Sequence, residues 1–215
     1  MVGKLKFLVP AQEIRRETSV MNSHFIATIA HAANVEDARK LINRVHNEFP
    51  DADHHVTAFV IGHGTSQTSH CSDAGEPAGS AGRPSLAVLQ GSGLGDVVVV
   101  VTRYFGGTKL GVGGLVRAYG NSVKKVIRDV PLARKILVHT ISLVYSYPLV
   151  ERIRKLVSIH SGQILVEDFG KDVTLIVQIP VEDFNGFELD LAKLTSGKVE
   201  SIIKETGNVM LPFEK

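Results

Sequence analysis

The sequence has little of what secreted, zinc-finger or membrane-spanning proteins depend on. Cys71 is the only cysteine, so no disulfide can form within the chain and a zinc site built from several cysteines is excluded. The longest apolar run, from Val97 to Val101, is far shorter than the roughly 18 residues of a membrane span. Residues 1–17 also lack the apolar segment of a secretory signal. We therefore expect a cytoplasmic protein that does not contact a membrane.

Acidic residues are missing from one long segment. The net charge of the chain is only +2, but residues 101–128 contain six basic residues and no acidic one: Arg103, Lys109, Arg117, Lys124, Lys125 and Arg128. Such a segment favours an anionic partner. A solvated surface is the simpler interpretation for the last three. The first three occupy a strand end, a loop and a helix start, where we expect their charges to converge.

Apolar patterning in the first part of the chain predicts strands at residues 23–29, 56–61 and 97–102 and helices at residues 35–47, 84–90 and 114–128. Asn34 is placed to cap the first of these helices. The valine run flanked by glycines is typical of a strand buried on both faces, so we place it in the centre of a sheet. Residues 63–84 are rich in Gly, Ser and Pro and are predicted to form a loop.

The pattern restarts after Pro131 and predicts β-α-β-β-α-β. The elements fall at residues 136–145, 148–160, 163–169, 173–179, 181–194 and 198–205. This order matches the split βαβ, ferredoxin-like motif. We therefore predict an α+β protein of two domains, residues 1–134 and 135–215, with a boundary near Arg134.

Glycines are concentrated between the predicted central strand and the helix that follows it. They are Gly106, Gly107, Gly111, Gly113 and Gly114. Glycine lets a ligand approach backbone amides, and a helix N-terminus adds about half a positive charge, so phosphate is a natural ligand. Neither the dinucleotide-binding pattern nor the P-loop pattern is present, and we expect no cofactor. The alternative is that these glycines only permit close packing.

Two aromatic residues, Tyr104 and Phe105, begin the same segment. Either ring could stack on a base of a nucleic acid. Adjacent aromatics at a strand end more often bury at least one ring, so we expect one ring in the core and one exposed.

Asp73 and Glu76 are the only acidic residues in the loop 63–84. Carboxylates there could bind a metal or act as a general base, but turn residues that accept backbone hydrogen bonds are the simpler interpretation. The histidines nearby have no spacing typical of metal ligands, so we expect no metal. Cys71 has no evident group to activate it as a nucleophile.

Two segments, SDAGEPAGSAGRP and VVVVVTRYFGGTKLGVGGLVRAYG, together resemble the signature of the IMPACT family. The matching positions are Asp73, Glu76, Pro77, Gly79, Arg103, Tyr104, Phe105, Gly106, Gly107, Lys109, Leu110, Gly111, Gly113, Gly114, Leu115, Arg117 and Tyr119. One departure is that Met21 and Asn22 precede Ser23 where family members often carry lysines.

The resemblance implies a first domain similar to the second domain of ribosomal protein S-five. It implies a ferredoxin-like second domain similar to the last domain of elongation factor G. Both likenesses point to the ribosome, and family membership suggests a role in regulating translation.

Three functions remain open from the sequence. The first is a non-enzymatic RNA-binding or ribosome-binding protein, in which the loop amides with Arg103, Lys109 and Arg117 bind phosphates and Tyr104 or Phe105 stacks on a base. The second is an enzyme for a small phosphorylated substrate, with Asp73 or Glu76 opposite the cationic loop. The third is a protein-interaction role, in which the sheet of the second domain contacts a translation factor.

Overall fold

The computed structural model of the protein describes residues 7–213. The chain forms two compact units: the described residues up to Arg134 together with those from Leu211 onward, and Lys135–Met210. Both units combine helices with an antiparallel sheet, so the prediction of an α+β protein with two domains is confirmed. No helix in this part of the chain is both long enough and apolar enough to cross a membrane.

The first unit contains six strands and three helices. They are β1 (Leu8–Pro10), β2 (Ile14–Val20), β3 (Ser23–His31), α1 (Val35–Glu48), β4 (His54–Ile61), β5 (Thr68–Ser72), α2 (Gly82–Gly91), β6 (Val97–Tyr104) and α3 (Gly111–Asp129). Five of the strands form an antiparallel sheet in the order β2-β3-β6-β4-β5. The valine-rich strand β6 is central, as predicted.

Strand β6 is central because both of its faces are apolar and both are covered. Val98 and Val100 pack with α1, whereas Val97, Val99 and Val101 pack with α2 and α3. Successive side chains of a strand point to opposite faces, so the unbroken valine run supplies two cores at once. Helix α1 starts where the sequence predicts, because the Asn34 side chain accepts a hydrogen bond from the Asp37 amide at 2.8 Å.

Several predictions for this unit were wrong in detail. The loop 63–84 contains β5, which pairs with β4, and β2 was not predicted. Helix α3 begins at Gly111 rather than Gly114. For the two strands, pairing with neighbouring strands overrides a weak local signal.

The second unit follows the predicted β-α-β-β-α-β order. Its elements are β7 (Leu132–Tyr145), α4 (Val150–Ile159), β8 (Gln163–Phe169), β9 (Val173–Pro180), α5 (Val181–Thr195) and β10 (Ile202–Phe213). Strand β10 pairs with β7, β7 with β9, and β9 with β8, which is the strand order of a split βαβ fold. The short strand β1 pairs with residues 132–134 of β7. The last strand begins at Ile202, later than the predicted residue 198.

The core of the second unit lies between its sheet and the two helices. Ile141 and Leu175 from the strands and Ile153 and Phe187 from the helices are fully buried. The two helices thus cover this face of the sheet and leave their own outer faces to solvent.

Candidate nucleic-acid interface

The glycine-rich segment begins at the end of the central strand and leads directly into the longest helix of the described chain. Arg103 and Tyr104 end β6, residues 105–110 form a loop, and α3 starts at Gly111. Gly107 and Gly111 have φ angles of 81° and 70°, which side chains other than glycine rarely adopt. Glycine is therefore required at two turns of this loop by backbone conformation alone.

Arg103 is turned into the protein. Its side chain is only 5% exposed, and Nη1 donates a hydrogen bond to Glu76 Oε1 at 2.5 Å while Nη2 donates to Ser23 Oγ at 3.2 Å. The Tyr119 hydroxyl donates to the same Glu76 oxygen at 2.7 Å. We call these four side chains the Arg103 cluster. The carboxylate of Glu76 thus neutralises the charge of Arg103 within the protein, whereas the buried Nε–H of Arg103 has no hydrogen-bond partner among the described residues.

Aromatic rings enclose the guanidinium of Arg103. Its Cζ lies 5.4 Å from the ring centroid of Phe25 and 5.5 Å from that of Phe105, within the range of a cation–π contact. Phe25 also meets Tyr119 edge to face at 5.2 Å. Burial, with the hydrogen bond to Glu76, raises the pKa of the Tyr119 hydroxyl well above its ordinary value. Tyr119 therefore stays a hydrogen-bond donor at any physiological pH.

Asp73 serves the backbone. Its Oδ1 accepts hydrogen bonds from the amides of Ala81 and Gly82 at 3.0 and 2.7 Å, and its Oδ2 accepts one from Gly79 at 2.8 Å. Burial opposes ionisation of this carboxyl, but the three amides and the nearby Arg83 outweigh it and hold its pKa below the ordinary value. The carboxylate thus fixes the turn that leads into α2. These contacts are those of a structural residue.

The loop at residues 105–110, which we call the glycine loop, is held at its start by neighbouring segments. The Phe105 amide donates to Asp53 Oδ2 at 2.7 Å, and the Gly106 amide donates to Ser23 Oγ at 3.2 Å. A Cβ on Gly106 would lie 2.0 Å from the carbonyl carbon of Asn22, so only glycine fits there. Two of the loop amides are therefore already engaged within the protein.

The two aromatic rings at the end of β6, those of Tyr104 and Phe105, both lie outside the core. The Tyr104 ring is half-buried, and its hydroxyl donates to Asp51 at 3.0 Å. The Phe105 ring is 44% exposed. The expectation that one of the two rings enters the core was wrong. Tyr104 shares the sheet face of Val98 and Val100, but it lies at the end of the strand and is only half-buried there.

Lys109 and Arg117 are the cations of the loop 105–110 and of the first two turns of α3. Both are exposed, and neither makes a hydrogen bond or an ion pair with any residue between 7 and 213. Lys109 precedes the first turn of α3, and Arg117 lies on its second turn, one turn after Gly113. Gly113 and Gly114 are helical residues near this N-terminus, and the former has no atom near its missing Cβ.

Helix α3 continues the basic character away from its N-terminus. Lys124 and Arg128 are exposed on the face that carries Arg117, whereas the Lys125 ammonium donates to the Glu17 carbonyl at 2.8 Å. Arg128 also contacts Asp129. The face therefore carries positive charge along much of its length.

Some of the organising residues of this site were not singled out from the sequence. They are Ser23 and Asp53, which accept hydrogen bonds from the amides of Gly106 and Phe105. Tyr119, which completes the Arg103 cluster, was a position of the family resemblance without an assigned role. A usable signal was present for Arg103: side chains alternate along a strand, so residue 103 shares the face of Val99 and Val101, which is covered by α3. The identity of its partner, Glu76, has no such signal.

The other reactive residues of the region have ordinary structural contacts. Burial, followed by the charge of Asp73, raises the pKa of the Cys71 thiol, which disfavours the nucleophilic thiolate. Within residues 7–213 no three His, Cys, Asp or Glu side chains are grouped so as to hold a metal ion.

Comparison with known proteins identifies relatives of both parts of the chain. Residues 21–127 match the Impact N-terminal domain, and residues 143–198 match a domain of unknown function, DUF1949. The protein described as IMPACT family member YigZ of Escherichia coli (strain K12) is 38% identical over 200 residues, which cover 93% of this chain and 98% of that protein.

Solved structures were also found to be similar. One, of a hypothetical protein, has a TM-score of 0.64 and 37% identity, covering 93% of this chain and 98% of that chain. Another, of the two-domain translational regulator Yih1, has a TM-score of 0.36 and 23% identity, covering 58% of this chain and 47% of that chain. The second likeness is too low to support an argument about function.

Proposed function

The chain belongs to the IMPACT family, and from this premise we propose that it is a non-enzymatic RNA-binding protein that acts on the ribosome in the cytoplasm. Ribosomal RNA is the partner favoured by the likeness of the two domains to a ribosomal protein and to an elongation factor. Regulation of translation is the role that we infer for the bound state.

The observation that carries the proposal is the pair of exposed cations at the start of α3. Lys109 and Arg117 have no partner within the described residues, and the surrounding segment 101–128 contains no acidic residue. A salt bridge on the surface would neutralise such a side chain. Because neither side chain forms one with a described residue, both positive charges are available to an anionic ligand. RNA phosphates are the anions that such a surface binds in a salt-dependent manner.

Backbone and aromatic groups complete the proposed surface. The N-terminus of α3 adds partial positive charge at Gly111, Gly113 and Gly114, and Gly107 keeps the loop open to a phosphate. One side of the Phe105 ring faces the Arg103 guanidinium, and we propose that an unpaired base stacks on the exposed part of the ring. The half-buried Tyr104 stays a second candidate for stacking.

The role that we propose for Arg103 differs from direct phosphate binding. Its charge is engaged by Glu76 and its side chain is buried, so contact with a phosphate would require this pair to open. We propose that Arg103 is a positioning residue. It contacts Glu76 in the loop between β5 and α2, Ser23 at the start of β3, and Phe105 in the loop before α3. The RNA-binding cations are then Lys109 and Arg117.

No observation favours the alternative of an enzyme for a small phosphorylated substrate. Asp73 is engaged by three backbone amides, and the Glu76 side chain is 3% exposed and paired with Arg103. A general base needs a free lone pair within reach of a substrate. The Glu76 carboxylate is buried and shared by Arg103 and Tyr119, and the Asp73 carboxylate is committed to three amides, so we propose that neither acts as a base.

The proposal is tested by crosslinking the purified protein to cellular RNA and to ribosomes under ultraviolet light. The test variant is Lys109→Glu with Arg117→Glu, and the control is Arg39→Glu, which reverses one exposed cation outside the proposed surface. Arg39 is exposed on α1 and has no hydrogen-bond or ion-pair partner among residues 7–213, and α1 covers the opposite face of the sheet. We expect crosslinking by the wild type and the control and strong loss in the double variant.

Two outcomes would contradict the proposal. One is the absence of crosslinks to RNA or ribosomes for the wild type. The other is equal crosslinking by the double variant, which would show that RNA contacts a different surface.

A further inference from the structure

A groove of about 520 Å³ runs between the two helices of the second unit. Its lining side chains recur at intervals of three and four residues, as expected for one face of each helix. They include Arg152, Lys155, Leu156 and Ile159 on α4 and Lys193 and Leu194 on α5. A groove between two helix faces of this kind can bind a third helix.

The rim of the groove is positively charged although the unit is not. Arg152 and Lys155 are exposed and make no hydrogen bond or ion pair with the described residues. Lys193 donates to Asp190 at 3.1 Å, and Asp190 also accepts from His160 at 3.2 Å, so the one acidic residue of the lining is shared by two partners. Residues 135–210 as a whole contain eight basic and ten acidic residues. Positive charge is therefore concentrated here against the average of the unit.

The floor of the groove is apolar. Leu156 is 8% exposed and belongs to the core, whereas Ile159 is 64% exposed on the same face of α4. A large aliphatic side chain gains about 25 cal/mol for each Å² of apolar surface that a partner covers. Most of the Ile159 side chain is not covered by its own unit. The groove that it lines is also lined by Arg152, Lys155 and Lys193.

From this juxtaposition of an aliphatic floor and unpaired cations on two helical stripes, we infer that the α4–α5 groove binds an acidic amphipathic helix of a partner protein. Aliphatic side chains of that helix would contact Ile159 and Leu156, and its flanking carboxylates would pair with Arg152 and Lys155. The groove is distinct from the sheet face for which the sequence suggested a translation-factor contact.

A protein helix fits the groove better than RNA does. No aromatic side chain lines it, and single-stranded RNA relies on aromatic rings for stacking. The aliphatic side chains Leu156, Ile159 and Leu194 that line it offer instead a surface for the apolar face of an amphipathic helix. The inference does not depend on RNA binding by the first unit.

The probe is a fluorescein-labelled synthetic peptide of about 18 residues, or five helical turns, with leucine on one face and glutamate on both flanks. Two control peptides carry the same residues in scrambled order or lysine in place of glutamate. Binding to the full chain is measured by fluorescence anisotropy. A uridine-rich single-stranded RNA is titrated as a competitor.

Three protein variants locate the binding surface. Arg152→Glu with Lys155→Glu reverses the rim, and Ile159→Asp places a carboxylate on the exposed floor. Lys171→Glu is the control for charge reversal outside the groove, since Lys171 is exposed at the β8–β9 turn of the same unit. Circular dichroism and urea unfolding verify that each variant is folded.

We expect the acidic peptide to bind the wild type and Lys171→Glu alike, and the rim and floor variants to weaken binding by about tenfold or more. We expect both control peptides to bind at least tenfold more weakly than the acidic peptide. Equal binding of the ordered and scrambled peptides would overturn the inference. So would unchanged affinity in the rim variant, or displacement of the peptide by RNA whose own binding needs Arg152 and Lys155.

Discussion

Arg103 and Arg117 lie fourteen positions apart in one glycine-rich segment and occupy opposite environments. Arg103 is buried with Glu76, Ser23 and two aromatic rings around it, whereas Arg117 is exposed and has no partner among the described residues. Both are arginines, and they differ in their position in the fold. Arg103 lies on a strand face that α3 covers, whereas Arg117 lies on an exposed face of α3.

The comparison shows how a buried charge and a free charge contribute differently to one site. A buried ion must be paired, since removing its partner typically costs about 3–5 kcal/mol. An exposed cation costs little to keep and is available to a ligand. The Arg103 cluster is thus expected to determine stability, and Lys109 with Arg117 to determine binding.

The largest expected effect comes from removing the partner of the buried arginine. Glu76→Ala leaves the guanidinium of Arg103 buried without a counter-charge, and we expect a loss of about 3–5 kcal/mol in the free energy of unfolding. Urea unfolding followed by circular dichroism measures the loss. Glu36→Ala is the control, because Glu36 pairs with Lys40 on the surface, and its change should stay below about 1 kcal/mol. Similar changes in both variants would contradict the structural role of the cluster.

The next effect compares two glycines of the segment. Gly106→Ala forces a methyl group against the backbone of Asn22, and we expect a loss of about 1–3 kcal/mol. Gly113→Ala adds a methyl group to a helix in open space, and we expect a gain of about 0.5–1 kcal/mol. Urea midpoints of the two variants provide the measurement. Opposite signs support a tightly packed loop start at Gly106 and an open first turn of α3 at Gly113, and equal signs would contradict this difference.

A smaller effect concerns pH and His55, at the opposite face of the sheet from the Arg103 cluster. His55 Nε2 donates to the Phe49 carbonyl and Nδ1 accepts from the Thr102 hydroxyl, each at 3.1 Å. Burial first, then the neighbouring His46, lowers the pKa of His55 below 6.5, although the Phe49 carbonyl opposes this shift.

The folded-state pKa of His55 is lowered, so protonation of His55 disfavours the folded state. The contribution of neutral His55 to the free energy of unfolding is therefore fully present above the unfolded-state pKa of about 6.5. This contribution is lost as the pH falls from there through the folded-state pKa. We expect the urea midpoint to decrease between about pH 7.5 and pH 5.5, and to decrease less in His55→Gln. An identical decrease in both proteins would exclude His55 as the cause.

The parts of the fold that the sequence predicts are those with local signals. Asn34 marks the start of α1, the valine run marks the central strand, and apolar spacing after Pro131 gives the order of the second unit. Strand β5 lacks such a signal, because its residues Thr68–Ser72 include no aliphatic side chain that alternates with polar ones, and four of the five are exposed. Its structure follows from pairing with β4.

The candidate site was predictable in its location and less so in its organisation. The loop and the start of α3 meet at the end of the central strand as predicted. The partnership of Arg103 with Glu76 joins residues 27 positions apart, and no periodic pattern connects them. Whether a particular cation is free or paired depends on such distant contacts, which a single sequence does not specify.

The most direct test of the central claim is the salt dependence of RNA binding. Affinity for a uridine-rich single-stranded RNA is measured over a range of salt concentrations for the wild type, Arg39→Glu and the double variant Lys109→Glu with Arg117→Glu. If three to five phosphates are contacted, log K should fall with log salt at a slope of roughly −2 to −4, and loss of two contacts should reduce the slope by about 1.4.

We predict this reduction in the double variant alone, with an unchanged urea midpoint. A wild-type affinity that does not respond to salt, or a slope that is the same in all three proteins, would contradict the assignment of Lys109 and Arg117 as the RNA-binding cations.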